Sequence, residues 1–379
     1  MKIAYVTTYD AQDINQWSGT PYHMTQALEA EAIQVSYLGS LTTVPPPSSR
    51  MKQLWTRITQ GQRESLRFSK AVTQDYAAQV AKKLAQLEVD AIIAPQINPI
   101  AYLDCKQPII LWTDALYAAL LGFYPPSSHL SALAVKQANQ LTAEALSRCS
   151  LAIFPSDWAA RSAWELYGIR KEKVKVVPFG ANIDCQHSLS DIKELLKTRQ
   201  PEKLKFLFIG REWEIKGGDT VLRVAQALHA RGQAVEVDIV GCYPPSQNLP
   251  SYINCHGFIS KRSPEGRTKL KTLLAKAHFL FVPSRAECFG LVFAEANAFG
   301  LPCLTTYVGG ISTVVKDNIN GMTFSQQAPV EDYCDYLIHL MQNYSQYEAL
   351  ALSSFHEYET RLNWNVATRQ VKRLIQEVI

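Results

Sequence analysis

Short, unbroken apolar runs alternate with amphipathic helical patterns over nearly the whole chain, and that rhythm leaves few folds open. The runs fall at Lys2–Thr8, Val35–Leu38, Ala91–Ala94, Ile109–Trp112, Leu151–Phe154 and Val174–Val177, with helical spacing at Tyr22–Ala30, Leu130–Leu146 and Trp158–Tyr167. A strand wet on one face alternates apolar and polar side chains. A strand apolar throughout is covered on both faces, which requires a parallel sheet with helices on either side. The series then breaks at Pro178-Phe179-Gly180-Ala181-Asn182, and Ser188 to Lys203 is polar and charged. It restarts with Lys205–Gly210, a helix over Asp219–Ala230, Val235–Val240, Tyr252–Cys255, a helix around Ser263–Lys276, Phe279–Val282 and Leu304–Thr306. A chain of 379 residues is long for one core. The expected architecture is α/β, with two doubly wound, Rossmann-like parallel-sheet domains: residues 1–185, a linker over 186–203, and residues 204–359. Trp364, Ala367, Val371, Leu374, Ile375 and Val378 line one face of a last helix at about 360–379, which must dock somewhere; periodicity leaves open on which domain.

Composition excludes more than it suggests. With 47% hydrophobic and 19% charged residues the chain is globular, and a net charge of +4 makes no demand for nucleic acid. No apolar run approaches the ~18 residues of a membrane span. The first residues enter a strand without the apolar segment of a signal peptide, so a cytoplasmic location is expected. Eight scattered cysteines, none in C-x-x-C or zinc spacing, read as reduced thiols. The most basic stretch runs from Arg50 to Lys83, with eight Lys or Arg side chains against Glu64 and Asp75. There Met51, Leu54, Trp55 and Ile58 make a short apolar stripe beside Lys52 and Arg57, following the stiff Pro45-Pro46-Pro47-Ser48-Ser49 connection. Such a stripe suits a surface helix packed on its domain, or peripheral contact with the inner face of an anionic membrane or an anionic acceptor.

The chemistry concentrates between Phe281 and Glu295, FVPSRAECFGLVFAE. An apolar strand ends at Pro283-Ser284, and Gly290 turns the chain into a helix expected over Leu291–Phe299. That geometry aims free backbone N–H groups at an anion. Glu287 and Glu295 bracket the turn, so a ligand with both phosphates and hydroxyls fits, as a nucleotide sugar does; an ordinary αβ connection with solvated acids accounts for the same spacing. Arg211 and Lys216 stand in the loop after the first strand of the second domain. If that strand neighbours the one ending at Val282, the two cations converge on the same place and suit a diphosphate; otherwise they pair with Glu212, Glu214 or Asp219 on the surface. In the first domain, Gly19 lies in the loop after the first strand, where it serves either a ligand or a plain turn. No D-x-D motif and no metal-ligand spacing occurs, so chemistry without a metal or other cofactor is expected.

Together, Gly210-Arg211 with Lys216-Gly217, Pro283-Ser284-Arg285-x-Glu287-x-Phe289-Gly290-Leu291-Val292-x-x-Glu295, Gly309-Gly310 and Asn320-Gly321 resemble family-four retaining glycosyltransferases; Ser156–Trp158, Tyr167-Gly168 and Val176–Gly180 agree. The resemblance implies the GT-B fold, two such domains facing across a cleft, and a hexosyltransferase acting on a UDP- or GDP-sugar. It implies that Glu287 meets the sugar hydroxyls and Glu295 the ribose. Backbone around Phe289, Gly290, Leu291 and Val292 would hold phosphate and sugar oxygens, Arg211 and Lys216 the diphosphate, and Gly257-Phe258-Ile259 the base. Gly19 would face the diphosphate, and the last helix would cross back onto the first domain, docking the face led by Trp364. The acceptor stays open among lipid, polyol, sugar phosphate and glycan, and a nucleotide-sugar epimerase, hydrolase or silent binding relative are the alternatives. One departure stands out. Where many relatives carry a histidine after the strand Ile109–Trp112, this chain reads Trp112-Thr113-Asp114. Asp114 is either a catalytic substitute or the cap of the following helix. His23 and His129 are expected at the surface.

Overall fold

The computed structural model describes residues 1–43, 66–124, 130–246 and 248–379. The proline run 45–47, the stripe Met51, Leu54, Trp55 and Ile58, and His129 lie outside the described residues. The chain forms two units, Met1–Val177 with Ala367–Ile379, and Pro178–Val366.

The first unit holds β1 (Lys2–Val6), β2 (Gln34–Leu38), β3 (Ala91–Ala94), β4 (Ile109–Trp112), β5 (Cys149–Phe154) and β6 (Val174–Val176). They make a six-stranded sheet in the order β2-β1-β3-β4-β5-β6, parallel throughout. β3 and β4 are buried at every position, the property that made them legible. Helices Thr20–Ala30, Lys70–Leu84, Ala132–Arg148 and Asp157–Tyr167 cover the sheet, the last two capped by Ser131 and Ser156. Ala367 and Val371 of the last helix are buried in this unit, and Lys372 Nζ donates to the carbonyl of Glu31, at the end of helix Thr20–Ala30.

The second unit holds β7 (Lys203–Ile209), β8 (Ala234–Val240), β9 (Ile253–Gly257), β10 (Phe279–Phe281), β11 (Cys303–Thr306) and β12 (Gly321–Phe324). Its sheet runs β12-β11-β10-β7-β8-β9, again all parallel. The chain starts in the middle with β7, builds outward to β9, then crosses back to β10 on the other side of β7. The carboxyl ends of β7 and β10 therefore lie at the point where strand order reverses, the place where open parallel sheets bind ligands.

The expected boundaries need correcting. The chain leaves the first unit at Val177, not at 185, and the polar segment 186–203 is no linker. It carries the helix Leu189–Thr198, begun by a capping box of Ser188 and Asp191, with Ile192 and Leu196 buried in the second unit. Leu189, Ile192, Leu195 and Leu196 recur at helical spacing, but the charged and polar residues around them give the segment the look of a linker. Trp364 does not lead the last helix onto the first unit: it packs on Phe179 and donates from its indole to Asn182 Oδ1 at 2.9 Å, inside the second.

Arg199, only 2% exposed, follows that unexpected helix. Its guanidinium donates to the carbonyls of Ala275, Phe299 and Gly300 and to the Tyr347 hydroxyl. Beside it His278 is fully buried, accepting on Nδ1 from the Lys205 N–H, while Nε2 has no hydrogen-bond partner among the described residues. Burial, then the Arg199 charge, pushes the imidazole pKa down to about 3. The folded state thus stays neutral where the unfolded chain takes up a proton. Stability is complete above pH ~6.5 and falls as pH drops below it, by up to about 1.4 kcal/mol per pH unit from this group. His278→Phe is expected to flatten that acid limb in urea titrations between pH 4 and 7; an unchanged slope would contradict the assignment.

Candidate functional site

The pairing of β7 with β10, Phe206 opposite Phe279 and Leu207 opposite Leu280, opens the two following loops side by side. Two backbone features lock them together. Arg285 N–H donates to the carbonyl of Ile215 at 2.7 Å. Gly217 adopts φ +72°, and a Cβ there would lie 2.1 Å from the Pro283 carbonyl oxygen, so only glycine allows the approach.

This brings Lys216 to Glu287, Nζ to Oε2 at 2.6 Å, with the side chains 16% and 13% exposed. The surface partners expected for Lys216 are not used, and Asp219 instead takes Arg285 and Arg223. Gly310 N–H donates to the Glu287 carbonyl, which ties the glycine pair after β11 to the same loop. Arg211 stays exposed, with its guanidinium 4.9 Å from the ring centroid of Phe258 and no ion pair among the described residues. Phe258 is 63% exposed. It follows Gly257, whose φ is +62° and against which the Tyr243 hydroxyl rests.

Gly290, at φ +89°, starts the helix, which runs Leu291–Asn297 and is shorter than expected. A Cβ at Gly290 would lie 2.4 Å from Phe293 Cδ2. Leu291 and Val292, as first helical residues, have no intrahelical acceptor for their N–H groups. The helix buries Glu295, whose Oε1 accepts from Lys261 Nζ at 2.5 Å, and Lys261 also donates to the Asn182 carbonyl. Phe289 packs on Phe179 with centroids 5.5 Å apart. Each bracketing acid thus has one oxygen held by a lysine from another loop, and its second oxygen has no hydrogen-bond partner among the described residues. Two fixed carboxylates with open acceptor positions beside cations suit a ligand that offers hydroxyls and phosphates.

Lys261 and Asn182 escaped notice in the sequence. The one available signal was a lysine in a βα loop at the carboxyl end of a strand, just before the Ser263 cap and Pro264 of the helix Pro264–Lys276. Asn320 turned out structural: buried, it bonds Asn297 Oδ1 and the Val314 carbonyl, bracing the site helix.

In the first unit, Trp17 and Ser18 adopt positive φ, and Gly19, φ +85°, starts the helix Thr20–Ala30. Trp17 Nε1 donates to Asp114 Oδ2 at 3.3 Å, linking the loops after β1 and β4. Asp114 is not a helix cap, since the helix Tyr117–Leu120 begins at Leu116 without a side-chain cap bond. Burial, then the Asp114 charge, raises the Tyr9 pKa well above its ordinary value. Among the described residues no three His, Cys, Asp or Glu side chains gather to hold a metal ion, and no helix is long and apolar enough to cross a membrane.

Residues 203–343 match the family model described as glycosyl transferases group 1. This stretch runs from β7 to just past the helix Val330–Gln342 and contains Lys216, Lys261, Glu287 and Glu295. Among curated relatives, a D-inositol 3-phosphate glycosyltransferase of Nocardiopsis dassonvillei is 27% identical over 223 residues, 55% of this chain and 52% of that one. Its counterpart in Nocardia farcinica is 32% identical over 177 residues, 43% and 39% of the two chains. The chain thus spans about half, or less, of the length of these relatives. Solved structures match along its whole length. Sucrose-phosphate synthase from Thermosynechococcus elongatus superposes with a TM-score of 0.71 at 15% identity, covering 100% of this chain and 98% of that one. HepE from Anabaena in complex with UDP and glucose gives 0.62 at 17%, with 99% of both chains covered. At such identities the likeness establishes the fold alone: a GT-B architecture with two parallel six-stranded sheets.

Proposed function

We propose that the protein is a retaining glycosyltransferase that moves a hexose from a nucleotide diphosphate sugar to an acceptor hydroxyl, without a metal. The observation that carries this reading is the Lys216–Glu287 pair at the strand-order reversal, one charge of each sign fixed in one place. Glu287 Oε1 would accept from sugar hydroxyls, and Glu295 Oε2 from the ribose. Lys216, with two further N–H donors, and Arg211 would meet the diphosphate, the N–H groups of Gly290, Leu291 and Val292 adding to them. Phe258 would stack on the base. The solved relative carrying UDP and glucose has the same fold, which supports a nucleotide-sugar donor.

In the transfer, the bond between the sugar's anomeric carbon and the diphosphate oxygen breaks and the acceptor oxygen bonds that carbon on the same face. The acceptor proton passes to the leaving diphosphate. Negative charge grows on the diphosphate as the bond stretches, so the fixed cations stabilise the transition state more than the ground state. Asp114, held by the Trp17 indole, would stabilise positive charge on the sugar ring. The acceptor belongs to the class of polyol, sugar phosphate, lipid or glycan hydroxyls; the curated relatives act, by name, on an inositol phosphate.

The test is a thermal-shift screen of UDP-, GDP- and ADP-glucose in buffer with EDTA. One nucleotide should stabilise the protein by about 2.7 kcal/mol at a concentration a hundredfold above its Kd. A shift that appears only with added Mg²⁺ or Mn²⁺ would refute the metal-free part, and no shift under either condition the donor itself.

A further inference from the structure

Lys261 lies just past β9, and its ammonium is spent on two protein oxygens, Glu295 Oε1 at 2.5 Å and the Asn182 carbonyl at 3.2 Å. The Glu295 side chain is 5% exposed and that of Lys261 31%. Asn182 is itself immobilised, 1% exposed and holding the Trp364 indole. A nearly buried ion pair adds little net stability over apolar residues of the same size, so stability alone does not account for a charged pair here. What the pair does supply is orientation. With Oε1 taken by a cation anchored on a second loop, the carboxylate cannot rotate, and Oε2 keeps its lone pairs in fixed directions.

We propose that Lys261 is a positioning residue of the donor site: by holding Glu295 Oε1 it aims Oε2 at the vicinal hydroxyls of the ribose in a nucleoside diphosphate. The inference rests on the donor-site reading above and adds to it the group that selects a ribonucleotide over a bare diphosphate. Two carboxylate lone pairs match two neighbouring hydroxyl donors, whereas a phosphate would be repelled by Glu295. Arg211 and Lys216, on the loop after β7, remain for the phosphates.

Calorimetric titration with three probes tests this: the nucleoside diphosphate picked out by the screen (UDP, GDP or ADP), its 2′,3′-dideoxy analogue, and inorganic diphosphate. Lys261→Met should weaken the nucleoside diphosphate at least tenfold while leaving the dideoxy analogue and inorganic diphosphate within twofold of wild type. Lys261→Arg should recover most of the loss. Equal losses for all three probes would show that Lys261 acts on the phosphates and would overturn the proposal, as would unchanged nucleoside diphosphate binding. If Lys261→Met does not fold, Lys261→Gln, which keeps an N–H donor without the charge, takes its place in the same titrations. Wild-type protein that binds inorganic diphosphate but no nucleoside diphosphate any tighter would overturn this inference alone; wild type that binds none of the three would overturn the donor site as a whole.

Discussion

Glu287→Ala is expected to lower the turnover of glycosyl transfer by about 10³-fold or more while the protein stays folded. Two losses combine. The acceptor for the sugar hydroxyls disappears, and Lys216 loses the partner that holds its ammonium, so the cation meant for the growing diphosphate charge is no longer fixed. Because Glu287 lines a loop rather than the apolar core, the cost in stability should stay near 1 kcal/mol, the size of one lost partly buried hydrogen bond. Glu287→Gln separates the two roles, since an amide oxygen still accepts from a hydroxyl but no longer anchors the lysine by charge. Release of nucleoside diphosphate from the donor, measured with a melting curve for each variant, is the check. Near wild-type transfer by Glu287→Ala would remove this acid from the site.

Arg199→Met is expected to be the most damaging single change to stability in the second unit, by about 3–5 kcal/mol, or a melting point lower by about 10 °C. The guanidinium serves four acceptors on two helices and a turn, among them the Phe299 and Gly300 carbonyls just past the helix that carries Glu295. Methionine fills a similar volume and leaves those buried carbonyls without donors. Lysine should not rescue, because one ammonium cannot reach acceptors spread around a planar fork. The same variant removes a charge that helps hold His278 neutral, so its stability should fall less steeply below pH 6.5 than that of the wild type. Urea melts at two pH values read both effects, and a loss under 1 kcal/mol would show that the site helix is braced by other means.

The strands were legible because burial on both faces demands apolar residues at every position, and β3, β4 and β10 meet that demand completely. Ser131, Ser156 and Ser263 cap the helices that follow them, each with a side-chain oxygen accepting from the backbone N–H three residues on; of these only Ser263 stood at an expected helix start. The helix Leu189–Thr198 does carry a periodic signal, Leu189, Ile192, Leu195 and Leu196 at helical spacing, but the charged residues between them give the segment the composition of a linker. The strand Gly321–Phe324 and the helices Val330–Gln342 and Tyr344–Thr360 were not anticipated either; the strand is only four residues long.

For the site the division has one cause. Residue types and short spacings lie in the sequence itself: Glu287 and Glu295 around a glycine turn, Arg211 and Lys216 after an apolar strand, Gly217 and Gly290 where the backbone takes positive φ. These determined the fold class and the chemistry to look for. Which charge meets which was decided only by tertiary structure. Lys216 and Glu287 are 71 positions apart, and Lys261 and Glu295 are 34 apart. Both pairs exist because the sheet places β10 next to β7 and the carboxyl ends of its strands on one edge. Strand order follows from the packing of whole βα units, and no local pattern of residues encodes it.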